Sequence, residues 1–162
     1  MSLGLWKPCV ATLLTLVTAA ANPISTPAPT PGHAHAPGPV VTVYKDPACG
    51  CCRKWVALLA ARGFQVDTVG VPDPDALAGI ARDHGVTTRL KACHTAVVGG
   101  YVFEGHVPVE LVQRVLKERP AIIGLAVPGM PSTAPGMDMP TGEHYDVLAI
   151  HKDGTTTVYA SR

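Results

Sequence analysis

The sequence predicts an α/β domain whose elements follow the order β-α-β-α-β-β-α, extended at the C terminus by a loop and a β-hairpin. Three observations predict this class. Short β-branched runs alternate with segments of helical periodicity, and Gly, Pro or Asp marks the boundaries between them. The chain of 162 residues, 47% of them apolar, is also long enough to bury one core. We therefore expect a single domain over residues 40–162.

The first strand and the first helix flank a cluster of cysteines. Residues 40–44 form a β-branched run between prolines, which predicts a buried strand. After the turn Cys49-Gly50-Cys51-Cys52, apolar residues recur at helical spacing as far as Gly63, a residue suited to a helix C-cap. Residues 64–71 then predict a second strand. The cysteine turn therefore joins a strand to the N-terminus of a helix.

The middle of the chain supplies the rest of the predicted domain. Asp73-Pro74 starts a helix that runs to about residue 85, because the Asp side chain can accept backbone N–H groups and Pro suits a first turn. Residues 95–98 and 101–103 form two strands around a Gly-Gly turn. Apolar spacing predicts a last helix over residues 108–118. This order of elements is the thioredoxin topology.

From about residue 124 the chain forms a C-terminal extension of the domain. Residues 124–143 are rich in Pro, Gly and Met and lack periodicity, and a loop of this length is usually functional or disordered. We expect this loop to lie over the cysteine site. A hairpin follows, with strands at residues 145–151 and 155–160 on either side of Asp153-Gly154, a strong turn signal.

The N-terminal residues predict an export signal. In residues 1–21 a single Lys precedes an apolar run that ends in alanines, the pattern of a secretory signal peptide cleaved near Ala21. The run is shorter than the roughly 20 residues of a membrane-spanning helix, so a retained anchor is the less favoured alternative. Cys9 lies inside the run and would be removed with it.

Residues 22–39 predict a linker, because they are rich in Pro, Ala and Thr and contain few large apolar side chains. His33 and His35 lie in this linker and can chelate a metal weakly, but the sequence leaves their role open. The 13 basic and 12 acidic residues give a formal net charge of +1. The chain therefore lacks the broad positive field that nucleic acid or an anionic membrane would attract.

The four cysteines of the predicted mature chain point to metal or redox chemistry. Cys49, Cys51 and Cys52 crowd into four positions and Cys93 is distant, so at most one long-range disulfide can form. Thiols at a helix N-terminus favour the thiolate. Several soft sulfurs in one turn select Cu(I), Zn(II) or an iron-sulfur unit. A buried or disulfide-bonded cluster is the alternative.

Cys93-His94 comes just before the strand at residues 95–98, in a loop that faces the tip of the first helix in a thioredoxin-like domain. Four sulfurs can therefore meet. We predict Cys93 as a ligand, whereas the His94 imidazole can act either as a ligand or as a group that holds a ligand in place. His106 follows the last core strand and is either a further ligand or a turn residue.

Three methionines lie in the Pro- and Gly-rich loop instead of on a helical face: Met130, Met137 and Met139. Their thioether sulfurs are soft ligands for Cu(I), and we take Met130 and Met137 as candidates. Packing of flexible apolar side chains over the cysteine cluster explains them equally well.

The sequence resembles a known family, the small exported metal-binding proteins of the CopG copper-resistance type, long catalogued as a domain of unknown function. The similar stretches are YKDPACGCCRKW, ACHTAVVGGYVFEGHVP and GLAVPGMPSTAPGM, in the family's order. The resemblance implies a thioredoxin-like domain, a location in the envelope of Gram-negative bacteria, and copper as the metal. Other periplasmic copper-handling proteins are a separate expectation for its partners. It carries the family's Cys-X-Cys-Cys onto Cys49, Cys51 and Cys52, and its Cys-His onto Cys93 and His94.

The sequence thus predicts a periplasmic protein for copper resistance that binds Cu(I) through thiolates, with the number of ions open. A copper-linked redox activity is a further expectation from the family, although binding is favoured over enzymatic turnover. The alternative is a periplasmic thiol-disulfide oxidoreductase that uses Cys49 and Cys52, whose Cys-X-X-Cys spacing suits that chemistry. A structural zinc site is the third possibility.

Overall fold

The computed structural model describes residues 1, 38–137, 139 and 141–162. Most of the predicted linker and nearly all of the predicted signal peptide lie outside the described residues, and so do Cys9, His33 and His35. The fold is that of the unit that spans residues 35–162. None of the helices in the described part of the chain is long and apolar enough to cross a membrane.

The described residues form seven strands and three helices. The strands are β1 (Val40–Lys45), β2 (Gln65–Gly70), β3 (His94–Val98), β4 (Tyr101–Glu104), β5 (Gly124–Ala126), β6 (Asp146–Ile150) and β7 (Thr156–Ser161). The helices are α1 (Gly50–Ala61), α2 (Pro74–Asp83) and α3 (Val109–Glu118), with a single 3-10 turn at Thr88–Leu90. The predicted order of elements is therefore confirmed as far as α3.

All seven strands belong to one mixed sheet in the order β2-β1-β3-β4-β5-β6-β7. β1 pairs in parallel with β2 and β4 in parallel with β5, and the other neighbours are antiparallel. This arrangement confirms the α/β class. The β1-β3 pairing places the start of β3 beside the end of β1, with Lys45 opposite His94. The Cys93-His94 segment therefore lies next to the turn that leads into α1.

The structure corrects the prediction that residues 124–143 form one loop. Gly124–Ala126 is a buried strand, β5, between β4 and β6. A Cβ atom at Gly124 would collide with the backbone oxygen of Val102, so the strands can approach each other only because this residue is glycine. In the sequence that same glycine resembles a turn signal, and the strand is too short to show periodicity. The sheet therefore continues from the domain into the extension.

Helix caps and core packing hold α1 and α2 in place. The Asp73 side chain accepts a hydrogen bond from Asp75 N at 2.9 Å, which confirms the predicted start of α2. Trp55 of α1 is completely buried, and its Nε1 donates to Val107 O at 2.8 Å. Trp55 therefore ties the first helix to the segment that follows β4.

Candidate metal centre

The cysteine turn is built by the chain reversal between β1 and α1. Cys49 N donates to Asp46 O at 3.0 Å, and the Asp46 carboxylate accepts from Ala48 N at 2.8 Å. Cys49 is the N-cap of α1, and its Sγ accepts a hydrogen bond from Cys52 N at 3.2 Å. The sulfur thus takes the place that an oxygen side chain usually occupies at a helix start. As the sequence predicts, the cysteines lie at a helix N-terminus.

Cys49 and Cys52 form a disulfide, and Cys51 and Cys93 are free thiols. The Cys51 Sγ lies 3.4 Å from the Cys49 Sγ. Cys52 is fully buried, whereas Cys49 and Cys51 are half-buried. The disulfide corresponds to the Cys-X-X-Cys pair of the oxidoreductase alternative, and the structure has the turn in this oxidised state.

Cys93 joins this turn although it is distant in the sequence. The four sulfurs of Cys49, Cys51, Cys52 and Cys93 all lie within 4.8 Å of one another. The Cys52 Sγ also lies 3.6 Å from the backbone oxygen of Cys93. Burial is the largest cause that raises the pKa of Cys93, to about 12, and the neighbouring Cys51 raises it further. The Cys93 thiol therefore keeps its proton at neutral pH unless a cation replaces it.

A second set of donors shares two of these sulfurs. Cys52, Cys93, His94 and His106 each offer an atom within 4.8 Å of the others. The His106 Nε2 lies 3.0 Å from the Cys93 Sγ, and its Nδ1 lies 2.7 Å from Pro135 O. Because a carbonyl oxygen can only accept, Nδ1 carries the proton and the Nε2 lone pair points to the sulfur. Burial lowers the pKa of His106, which favours this neutral form.

His94 is also completely buried, between the rings of two neighbours. Its ring centroid lies 4.4 Å from that of Trp55 and 5.1 Å from that of His106. Its Nδ1 is 3.5 Å from the Cys93 Sγ, while its Nε2 is buried and has no hydrogen-bond partner among the described residues. Burial first, and then His106, lower the pKa of His94 to about 3. A neutral imidazole with an unpartnered nitrogen is a suitable metal ligand.

The sequence did not single out Glu104, the last residue of β4, which is only 1% exposed. Its carboxylate accepts hydrogen bonds from Ala92 N and from Thr95 Oγ1, both at 2.7 Å. Burial raises its pKa, against the lowering effect of these two donors. The only available signal in the sequence was a charged residue at the end of an apolar strand.

The C-terminal loop lies against the tip of α1. A Cβ atom at Gly136 would meet Cys51 O at 3.0 Å and Trp55 N at 3.1 Å, so the backbones approach closely. Met137 is half-buried and lines an open cleft of about 470 Å³ together with Cys51. Met130 and Met139 are 46% and 54% exposed. The loop therefore brings Met137 to a cleft shared with a site cysteine, and leaves the other two methionines facing solvent.

Glu143 fixes the shape of this loop. Its carboxylate accepts from Ser132 N at 3.0 Å and from Ser132 Oγ at 2.6 Å, and its backbone oxygen accepts from Thr133 Oγ1 at 2.7 Å. These bonds close the segment that carries Pro135, the residue that orients His106. The loop thus contributes to the site through its backbone as well as through its side chains.

Residues 90–137 match a family model described as a protein of unknown function, DUF411. No curated protein sequence matches the chain. Two solved structures are similar. Copper resistance protein CopG in form 2 is 35% identical with a TM-score of 0.69, and the match covers 77% of this chain and 98% of that chain. Form 1 of the same protein is 34% identical with a TM-score of 0.70, covering 78% and 98%. At this identity over almost the whole of the solved chain, the protein belongs to the CopG family of copper resistance proteins.

Proposed function

We propose that this protein binds copper as Cu(I) and serves copper resistance or homeostasis. The observation that carries the proposal is the convergence of four cysteine sulfurs within 4.8 Å of one another. Thiolates are soft donors that select Cu(I) over hard cations, and they bridge ions readily, so the cluster has the chemistry for one ion or several. The copper resistance function of the solved relatives gives the same direction.

Two histidines extend this donor set, and His106 is the better oriented of them. Its Nδ1–H is held by Pro135 O at 2.7 Å, which leaves Nε2 free to bind an ion beside Cys93. His94 supplies a second buried imidazole, whose Nδ1 lies 3.5 Å from the same sulfur. We assign Cys49, Cys51, Cys52, Cys93, His94 and His106 to the site, with Met137 as a ligand from the loop. Met130 is less suitable because it faces solvent.

The disulfide gives the proposal a redox component. Binding through all four sulfurs requires that the Cys49–Cys52 bond be reduced to two thiolates, which takes two electrons. A thiol reductant would supply them, and in the reverse direction two Cu(II) ions would each take one electron from the two thiolates, which gives the disulfide and two Cu(I) ions. A Cu(I)/Cu(II) activity in the periplasm is therefore part of the proposal, with export through the predicted signal peptide and exchange of copper with other periplasmic copper-handling proteins.

The test is competition for Cu(I) against a chelator, with the full chain reduced under anaerobic conditions and zinc as a second metal. We expect firm copper retention that Cys93→Ser weakens by at least about a hundredfold, because it removes a thiolate common to both donor sets. In the uncleaved full chain Cys9→Ser is the matched cysteine control, and it should leave the affinity unchanged. Equal affinities of Cys93→Ser and Cys9→Ser would contradict the proposed site, and a preference for zinc would contradict copper as the metal.

The Cys49–Cys52 disulfide favours a second function, thiol-disulfide exchange. Cys49 is the more accessible of the two sulfurs, so an incoming thiolate would attack it and release Cys52. Incubation in glutathione buffers of stepped composition separates the two functions. Reversible cycling of the disulfide without firm copper binding would establish the oxidoreductase, whereas firm Cu(I) binding by the reduced protein would establish the copper site.

A further inference from the structure

The carboxylate of Glu104 bridges the residues on either side of Cys93-His94. Its Oε1 accepts from Ala92 N, directly before Cys93, and its Oε2 accepts from Thr95 Oγ1, directly after His94. Both distances are 2.7 Å. One buried side chain therefore holds both ends of the segment that carries two of the proposed ligands.

The backbone after Glu104 leads directly to a third ligand. Gly105 N donates to His94 O at 2.9 Å, and the next residue is His106, whose Nε2 lies 3.0 Å from the Cys93 Sγ. Gly105 has a φ of +73°, and a Cβ atom there would meet the Ala92 Cβ at 2.7 Å. The segment at residues 92–95 and the segment at residues 104–106 therefore pack in direct contact, and Glu104 lies where they meet.

Fold stability alone is a weak explanation for this carboxylate. A buried charged group loses its hydration, and well-packed apolar residues at such positions are often as stable or more stable. The two hydrogen bonds do give the segment a fixed position, which is what outer-sphere partners do at metal sites.

We propose that Glu104 is a positioning residue of the metal site, which holds the Cys93-His94 segment at the distance from His106 that lets their donor atoms reach one ion. The inference rests on the proposed copper-binding function. It makes no use of the charge of Glu104, only of its two acceptor oxygens. A side chain of the same shape that keeps both hydrogen bonds should therefore hold the Cys93-His94 segment in the same position.

Two substitutions separate position from charge. Glu104→Gln keeps the shape, since the amide oxygen can accept from Ala92 N and the amide nitrogen can donate to Thr95 Oγ1. Glu104→Ala removes both bonds. In Cu(I) competition with the reduced full chain, we expect Glu104→Ala to weaken the affinity about 10- to 100-fold. Glu104→Gln should retain the wild-type affinity. Circular dichroism and thermal unfolding accompany each variant to establish that it is folded.

Thr95→Val tests the same pair of hydrogen bonds with a smaller change, because it removes only the bond from Thr95 Oγ1 to Glu104 Oε2. Its matched control is Thr87→Val, since the Thr87 Oγ1 is also buried but has no hydrogen-bond partner among the described residues. We expect weaker Cu(I) binding for Thr95→Val than for Thr87→Val. If Glu104→Ala fails to fold, this pair decides: equal affinities for the two valine variants would overturn the inference.

Two other results would also overturn it. One is wild-type affinity in folded Glu104→Ala, and the other is an equal loss in Glu104→Gln, which would point to charge instead of position. If the wild type itself binds no Cu(I), the proposed function fails. The rate of Cys93 alkylation in the reduced, metal-free protein then tests by itself whether the two Glu104 hydrogen bonds hold the segment in position. Faster alkylation in Glu104→Ala than in Glu104→Gln supports it, and equal rates refute it.

Discussion

The two halves of the candidate metal site differ in how their donor atoms are held. On the tip of α1, Cys49 and Cys51 are half-buried, and their sulfurs are held mainly by each other, by the disulfide and by one backbone N–H. The second half lies where β3 begins and β4 ends, at the end of the hairpin opposite its turn, and we call it the strand junction. There His94 and His106 are fully buried. Backbone groups and the Glu104 carboxylate fix that second half.

This difference indicates that the two halves have different roles in one site. The cysteine turn carries the disulfide, which two electrons would convert into two thiolates. The strand junction cannot rearrange in this way, because its donors are packed against Trp55 and against the C-terminal loop. We therefore propose that the turn is the half that changes its redox state, and that the junction is the half that keeps its donor atoms in a fixed position. The predictions below test these two descriptions.

The largest expected effect is on folding, from Gly105→Ala at the strand junction. The residue has a φ of +73°, and the added Cβ would meet both the Ala92 Cβ and Val127 O at 2.7 Å. The left-handed backbone and the collision together should lower the free energy of unfolding by about 2–5 kcal/mol. Urea-induced unfolding followed by circular dichroism measures this change.

Gly129→Ala is the matched control for that measurement. Its φ is +77°, close to that of Gly105, but a Cβ atom there would have no neighbour within 4 Å. It should lower the free energy of unfolding by only the strain of the left-handed backbone, about 1–2 kcal/mol. Equal losses for the two variants would mean that the junction is loosely packed, and the contrast between the two halves of the site would fail.

The next effect is on the chemistry of the buried thiol in the disulfide form. Since burial and Cys51 raise the pKa of Cys93 to about 12, its thiolate fraction near neutral pH is on the order of a thousandfold below that of an unfolded thiol. We expect Cys93 to be alkylated at least about a hundredfold more slowly in the folded than in the unfolded protein. Peptide mapping by mass spectrometry resolves Cys93 from Cys9 and Cys51.

The dependence of this rate on pH gives the sign of the effect. A thiol whose pKa is raised stays protonated over a wider range, so the rate should climb about tenfold per pH unit from about pH 8 to pH 10, without a plateau. A plateau near about pH 9 would show an ordinary thiol. Cys93 would then belong with the accessible turn and not with the buried junction.

Local signals account for what the sequence predicted well. The Asp73 cap, the β-branched runs and the cysteine turn act over a few residues, so the alternating elements as far as α3 could be predicted from sequence. The features that were missed depend on distant partners. β5 exists because Gly124 lets it approach Val102. The sequence offered His106 as a ligand or a turn residue, but it did not show that Pro135, 29 residues away, orients the ring.

The cysteine spacing could not decide the redox state for a physical reason. Cys49 and Cys52 lie three residues apart at a helix start, and that separation brings two sulfurs close enough either to bond to each other or to bind one ion. Glu104 was missed because a charged residue in a strand usually marks an exposed or edge position. Only the paired strands show that its carboxylate faces Ala92 and Thr95.

The smallest expected effect is that of Met137→Leu, which tests whether the loop adds a soft ligand to the accessible half. Leucine keeps the apolar volume, so the free energy of unfolding should change by less than about 1.5 kcal/mol. Loss of the thioether should still weaken Cu(I) binding by about tenfold in the chelator competition, because Met137 shares a cleft with Cys51. Met130→Leu is the matched control, since Met130 is 46% exposed, and it should retain the wild-type affinity. Identical affinities for the two variants would show that Met137 only covers the site, and all soft ligands would then come from cysteines.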